Sequence, residues 1–148
     1  MSPDAGGVGR ARAFADALGA RTGRSVELAF LEKHRSEGVV SGALFAGDVR
    51  DAVAIVYDDM ISTGGTIARA AAACAARGAR SVHAAATHGV LSGDAVRALN
   101  GAPLASLAVT NTVADVRERI SGLNCECTVL DCTELFARAI EQWVGEDP

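Results

Sequence analysis

Apolar positions along the chain switch several times between the spacing of a helix and the alternation of a strand. Val8, Ala11, Phe14, Ala15 and Leu18 follow helical spacing, and Gly19 suits the end of such a helix. Val26, Leu28 and Phe30 alternate as a strand does, and a short strand is expected over Val39 to Phe45. Ala52 to Tyr57 is apolar on both faces, the pattern of a buried parallel strand. Thr66 to Arg77 then reads as a helix closed by Gly78 at the position after its cap. Strands are predicted over Ser81 to Thr87, Ser106 to Thr110 and Cys127 to Leu130, with a short helix over Asp94 to Leu99. Thr133 to Val144 reads as a terminal amphipathic helix with Leu135, Phe136, Ala139, Ile140 and Val144 as its stripe. Alternating strands and helices predict an α/β fold, a mostly parallel doubly wound sheet flanked by helices. At 148 residues the chain accommodates one domain with a real core.

The candidate chemistry clusters where the central strand ends. Tyr57 is followed by Asp58 and Asp59, then by the small-residue loop Ser62-Thr63-Gly64-Gly65-Thr66, then by a helix. Such a loop lies at the carboxyl end of its strand, where open α/β sheets bind ligands. Ser62, Thr63 and Thr66 offer hydroxyls, and Gly64 and Gly65 let backbone N–H groups approach a phosphate. The helix start adds about half a positive charge. Asp58 and Asp59 suit sugar hydroxyls or a divalent metal. A plainer reading makes Ser62 or Thr63 a helix cap, but the full register of strand, acids and loop points to a sugar phosphate.

Composition narrows the field. A net charge of −4 argues against a general nucleic-acid binder. No apolar run approaches the length of a membrane span and no secretory signal opens the chain, so a soluble, cytoplasmic protein is expected, with no membrane partner. Cys125, Cys127 and Cys132 form C-x-C-x4-C, which lacks the paired spacing of a structural zinc site. Reduced packing thiols are expected there and at Cys74.

Two further segments carry charge in suggestive places. Ser2-Pro3-Asp4-Ala5-Gly6-Gly7-Val8-Gly9-Arg10 is a second glycine-rich turn opening a helix. Its N–H groups suit an anion, and Asp4 suits the metal that carries the anion's counter-charge. Phe30-Leu31-Glu32-Lys33-His34-Arg35 reads as a strand end running into a charged loop.

The Asp58 to Thr66 segment resembles the phosphoribosyl-diphosphate (PRPP) motif of type I phosphoribosyltransferases and PRPP synthetases. The opening Ser-Pro-Asp-x-Gly-Gly-Val turn resembles the diphosphate loop of PRPP synthetases in particular. Lys33 and Arg35 match the Lys-x-Arg of that family's catalytic loop. Thr87-His88-Gly89-Val90-Leu91-Ser92-Gly93 and Val109-Thr110-Asn111-Thr112 resemble later family segments. The resemblance implies a type I phosphoribosyltransferase-like fold and the C-terminal half of a ribose-phosphate diphosphokinase. By that resemblance Ser62, Thr63, Gly64, Gly65 and Thr66 hold the 5-phosphate of ribose 5-phosphate, with Asp58 and Asp59 at the ribose. Asp4, Ala5, Gly6 and Gly7 hold the diphosphoryl group, Asp4 with Mg2+, and Lys33 and Arg35 are catalytic. ATP and PRPP are the other implied ligands. Ser62 departs from the acid that many synthetases carry there; a hydroxyl donates to phosphate but does not accept as a carboxylate does.

The resemblance covers nearly the whole chain but only the second of the family's two α/β halves. Residues 1–148 are thus expected to form a single domain lacking the N-terminal half, incomplete as an enzyme alone. A homo-oligomer or association with the missing half is expected, because the strand that should lead into the Asp4 turn is not available. The alternatives are a stand-alone type I phosphoribosyltransferase that uses PRPP, or a non-catalytic ribose-phosphate-binding or regulatory subunit.

Overall fold

A computed structural model describes the backbone of residues 1–36 and 39–145, and the side chains of that set outside 32–43. Helix α1 (Val8–Thr22) is followed by strands β1 (Phe30–Ser36) and β2 (Val39–Ala46), which pair antiparallel as a hairpin. The main sheet contains β3 (Val53–Ile61), β4 (Ser81–Gly89), β5 (Ser106–Thr110) and β6 (Glu126–Leu130), all parallel and in chain order. Helix α2 (Gly65–Ala76) connects β3 to β4, α3 (Ala95–Asn100) precedes β5, and α4 (Val116–Ile120) precedes β6. Helix α5 (Thr133–Gly145) closes the described chain. The predicted α/β class and parallel sheet are therefore observed; α4 is an element the periodicity did not reveal.

One face of the sheet carries the core. Ile67, Ala70, Ala71 and Cys74 of α2 are at most 1% exposed and join Val56, Val82, Ala84, Leu107 and Val109 in one buried cluster. Enclosing a side chain such as Ile67 contributes about 2–3 kcal/mol. Alanines at 70, 71, 84 and 86 keep this layer thin, so the helix start is held close above the strand ends. On the opposite face, the Phe14 ring of α1 stacks on Tyr57 with centroids 4.4 Å apart, fixing α1 over β3.

Several boundaries differ from the pattern's expectations. Helix α1 runs through Gly19 and ends at Gly23, whose φ of 67° lets its N–H bond back to the Gly19 carbonyl. The strands β3 and β4 extend to Ile61 and Gly89, so Asp58 and Asp59 lie within the sheet rather than after it. Of the predicted Val26, Leu28 and Phe30 strand, Phe30 opens β1, whereas residues 26–29 lie outside any strand and only Ala29 among them is buried. Val53 is half exposed, so β3 is not covered on both faces along its full length. Lys33 and Arg35 lie in β1 of the hairpin, not in a loop after it. The stripe of α5 forms but is uncovered: Leu135, Phe136, Ile140 and Val144 are each more than half exposed.

The strand expected to be absent before the Asp4 turn survives as two residues. The Met1 amino group donates to the Ile55 carbonyl at 2.7 Å, and Tyr57 N–H donates to the Met1 carbonyl at 3.0 Å. On the other side, Ser2 N–H donates to the Ala29 carbonyl and Leu31 N–H to the Ser2 carbonyl. Met1 and Ser2 thus lie parallel between β3 and the start of β1, and they aim Asp4 at the carboxyl end of the sheet.

Candidate functional site

The end of β3, the turn before α1 and the start of α2 converge on one cleft of about 130 Å³. Asp4, Asp58, Ser62, Thr63, Gly64 and Thr66 line it, so the two glycine-rich loops singled out in the sequence share one space. They are more than fifty residues apart in the chain; the Met1–Ser2 pairing with β3 is what brings them together.

Each loop has a local reason for its shape. In the first, Asp4 Oδ1 accepts the Gly7 N–H at 2.9 Å, and the Ser2 hydroxyl donates to the Asp4 carbonyl at 2.7 Å. A Cβ on Gly7 would lie 2.6 Å from the Ser2 hydroxyl oxygen, so the turn needs glycine at that point. Ala5 and Gly6 remain exposed at the rim. In the second loop Gly64 has φ of 74°, and a Cβ there would meet the Ala95 carbonyl and Leu99 at 3.0 Å. Glycine is therefore demanded by packing against α3 as well as by backbone conformation. No side chain caps α2, so Ser62 and Thr63 are not spent on the helix end, contrary to the plainer reading. Thr66 Oγ1 accepts from Arg69, and Gly65 opens the helix.

The segment after β4 buttresses this second loop. Leu91 N–H donates to the Ile61 carbonyl and Ser92 N–H to the Ser62 carbonyl, with the Ser62 and Ser92 hydroxyls 3.3 Å apart. Leu91 sits at φ of 47°, a costly conformation for a branched residue that these bonds hold in place. His88 bonds Thr112 at 2.8 Å, tying the end of β4 to the residues after β5. Its ring otherwise faces solvent.

The acidic pair at the cleft is partly neutralised by a residue the motif reading left without a role. Arg10 Nη2 donates to Asp58 Oδ1 at 2.9 Å and to Asp59 Oδ1 at 3.3 Å. Asp58 is 7% exposed and also accepts the Asp59 N–H at 2.9 Å; Asp59 itself faces solvent. Burial pushes the Asp58 carboxyl above its usual range; the Arg10 bond and the Asp59 backbone N–H offset part of that rise, while the neighbouring Asp59 carboxylate adds to it. The bond to Asp58 raises the Arg10 pKa, so the guanidinium stays charged. The spacing of a helix start already placed Arg10 one turn inside α1; its partners 48 and 49 residues away carried no local signal.

The side chains of Lys33 and Arg35 lie outside the described residues, so the site is built here without them. Among the described residues, no group of three or more His, Cys, Asp or Glu side chains is arranged to hold a metal. The cysteines are free thiols; Cys127 donates to the Cys125 carbonyl, and burial pushes its thiol up to about 11. Among the described residues no helix is long and apolar enough to cross a membrane.

A parallel sheet with a hydroxyl, glycine and carboxylate cleft at its strand ends defines a phosphoribosyltransferase-like α/β protein. The model of the phosphoribosyl synthetase-associated domain matches residues 38–146, most of the chain. The chain belongs to the phosphoribosyl synthetase family. Among curated relatives, ribose-phosphate pyrophosphokinase A of Dictyostelium discoideum is 46% identical over 114 residues, 76% of this chain and 34% of that protein. Ribose-phosphate pyrophosphokinase of Clostridium perfringens is 40% identical over 149 residues, covering all of this chain and 44% of the relative. A solved phosphoribosylpyrophosphate synthetase from Mycobacterium smegmatis is 37% identical with a TM-score of 0.81, over 99% of this chain and 44% of that one. The chain spans less than half the length of the relatives it matches.

Proposed function

We propose that this chain is the ribose-phosphate-binding, C-terminal half of a ribose-phosphate diphosphokinase. The observation that carries the reading is the meeting of the Asp4 turn and the Asp58 to Thr66 segment in one cleft. One loop suits the phosphate of a sugar phosphate and the other an adjacent diphosphoryl group, which is the pair of ligands that PRPP synthesis requires. The family membership and the names of the relatives agree with it.

In this reading the 5-phosphate of ribose 5-phosphate accepts hydrogen bonds from the Ser62, Thr63 and Thr66 hydroxyls and from N–H groups at Gly64 and Gly65. Asp58 and Asp59 accept the ribose hydroxyls, and Arg10 keeps the two carboxylates from repelling one another. The 1-hydroxyl attacks the β-phosphorus of ATP, the bond from that phosphorus to the α-phosphate oxygen breaks, and PRPP and AMP result. The Asp4, Ala5, Gly6 and Gly7 turn orients the transferred diphosphoryl group. Lys33 and Arg35 neutralise the charge that spreads over it in the transition state. Mg2+ would be held by Asp4 together with phosphate oxygens and would neutralise diphosphate charge. That ion favours one or two carboxylates plus phosphate oxygens, which is the donor set Asp4 and a diphosphate would offer. The rate gain comes from alignment and charge neutralisation and needs no protein nucleophile.

Residues 1–148 act as one domain of a two-half enzyme, and the partner half supplies most of the adenine-nucleotide contacts. Incubation of the chain with ribose 5-phosphate, Mg2+ and ATP, with AMP and PRPP as readout, tests this. The expected result is ribose 5-phosphate binding without turnover by the chain alone, and turnover once an N-terminal half is supplied. AMP and PRPP formation by the chain alone would overturn the need for a second half. PRPP consumption with a purine or pyrimidine base would replace the reading with a phosphoribosyltransferase.

A further inference from the structure

Cys125, Cys127 and Cys132 take no part in the sugar-phosphate cleft, and they divide into a pair and a single residue. Cys132 precedes α5, and its thiol donates to Asn111 Oδ1 at 3.0 Å. Cys125 and Cys127 lie at the other end of β6, astride Glu126. Exposure alternates along this stretch: Cys125, Cys127 and Val129 are half-buried, while Glu126 and Thr128 face solvent. The two cysteines therefore share the face that packs on the core, with Cys127 beside the buried Leu107 in the sheet register. Their side chains also meet. The Cys127 thiol donates to the Cys125 carbonyl at 3.4 Å and has the Cys125 thiol as a hydrogen-bonding neighbour.

We propose that Cys125 and Cys127 form a two-thiolate site for a soft monovalent cation of the Cu(I) type. The donor set is sulfur alone, and thiolate sulfur selects Cu(I) over harder ions. The set also stops at two. Among the described residues no third His, Cys, Asp or Glu joins it. Glu126 points to the opposite face, and Cys132 is five residues beyond Cys127, roughly 15 Å along an extended chain. Zinc takes four ligands, whereas Cu(I) is satisfied by two thiolates in line. Spacing decides against the competing reaction, a disulfide. Residues astride one extended residue have Cα atoms about 6.6 Å apart, with their Cβ atoms on one side. A disulfide needs Cβ atoms about 3.8 Å apart, so closing one here would strain the strand. A bridging ion replaces one sulfur–sulfur bond of about 2 Å with two metal–sulfur bonds near the zinc–thiolate length of about 2.3 Å. That longer link suits the wider gap. On binding, two thiol protons leave to solvent and two Cu–S bonds form, with no change of oxidation state. Half-burial leaves the sulfurs open to the ion, and Leu107 and Val129 on the same face limit the access of water.

The test titrates Cu(I) anaerobically into the reduced chain against bicinchoninate, a competing Cu(I) chelator. The chain is expected to withdraw one copper from the competitor, and X-ray absorption at the copper edge to show two sulfur neighbours. Cys125→Ser and Cys127→Ser should each weaken retention by more than the roughly hundredfold that loss of an outer partner costs at a metal site. Cys132→Ser should leave it unchanged, and equimolar Zn2+ should not displace the copper. Failure of the parent to withdraw copper, any other count of sulfurs, equal loss in Cys132→Ser or displacement by Zn2+ would overturn the proposal. So would retention by Cys125→Ser or Cys127→Ser. The sulfur count is read on the parent chain, so a serine variant that fails to fold leaves the test intact. None of these readouts uses ribose 5-phosphate, so they stand or fall separately from the proposed activity.

Discussion

Helices α2 and α5 are of similar length and both follow a strand of the parallel sheet, yet their fates differ. Four residues of α2 are essentially inaccessible, whereas α5 buries none and exposes Leu135, Phe136, Ile140, Trp143 and Val144. The sharper amphipathic stripe belongs to α5, so patterning alone does not decide which helix joins the core. What separates them is position. The α2 helix packs across β3 and β4 and against α3, while α5 follows the edge strand β6. A periodic stripe states which face of a helix seeks cover; whether the cover exists depends on residues far away in the chain.

This contrast breaks most readily through Ile67→Ala. Removing a side chain 1% exposed in α2 is expected to cost about 3 kcal/mol in urea unfolding. Next comes Gly64→Ala, at the entry to the same helix. A methyl 3.0 Å from the Ala95 carbonyl at φ of 74° is expected to cost about 2 kcal/mol and to shift the phosphate loop. Loss of ribose 5-phosphate binding should accompany it. A loss below about 0.5 kcal/mol in chemical unfolding would show that α3 yields easily and that the loop is not pinned.

Asp58→Asn is expected to act in the other direction on stability. The folded-state pKa of Asp58 is raised by burial, so the folded chain holds this proton more tightly than the unfolded chain. Its contribution to stability is greatest below the ordinary aspartate range, about pH 4, and declines as pH rises through the raised value. At pH 7 the asparagine variant should therefore be as stable as the parent or about 1 kcal/mol more so, and the difference should fade on acidification. Thermal melts across pH 4 to 8 read this, and a variant that becomes relatively weaker at neutral pH would contradict it. Ile140→Ala is expected to produce the smallest effect, under about 0.5 kcal/mol, since the side chain is 57% exposed. A loss as large as that of Ile67→Ala would mean that α5 is covered in solution.

The legible parts of this molecule were local ones. The run from Val53 to Thr66 encodes strand, acid pair, turn and helix start within fourteen consecutive residues, and the structure reproduces that order with β3 extended to Ile61. The second loop around Asp4 was equally readable as a turn, but its place in the same cleft rests on the Met1 and Ser2 backbone bonds to Ile55, Tyr57, Ala29 and Leu31. Arg10 pairing with Asp58 and Asp59, and Ser92 bracing Ser62, likewise join distant segments and leave no periodic trace. The strand predicted at residues 26–29 shows the converse. Only Phe30 of the predicted Val26, Leu28 and Phe30 run joins a strand, because a strand needs partners for its backbone groups as well as alternating side chains.

The central claim is that the cleft between the Asp4 turn and the Ser62–Thr66 loop receives a sugar phosphate. Titration of ribose 5-phosphate into the isotope-labelled chain, followed by amide chemical shifts, tests it most directly. Saturable changes at Ser62, Thr63, Gly64, Gly65 and Thr66 are expected, with ribose alone having little effect and Asp58→Asn weakening the response about tenfold or more. No change at those amides, or a response centred elsewhere in the chain, would contradict the account.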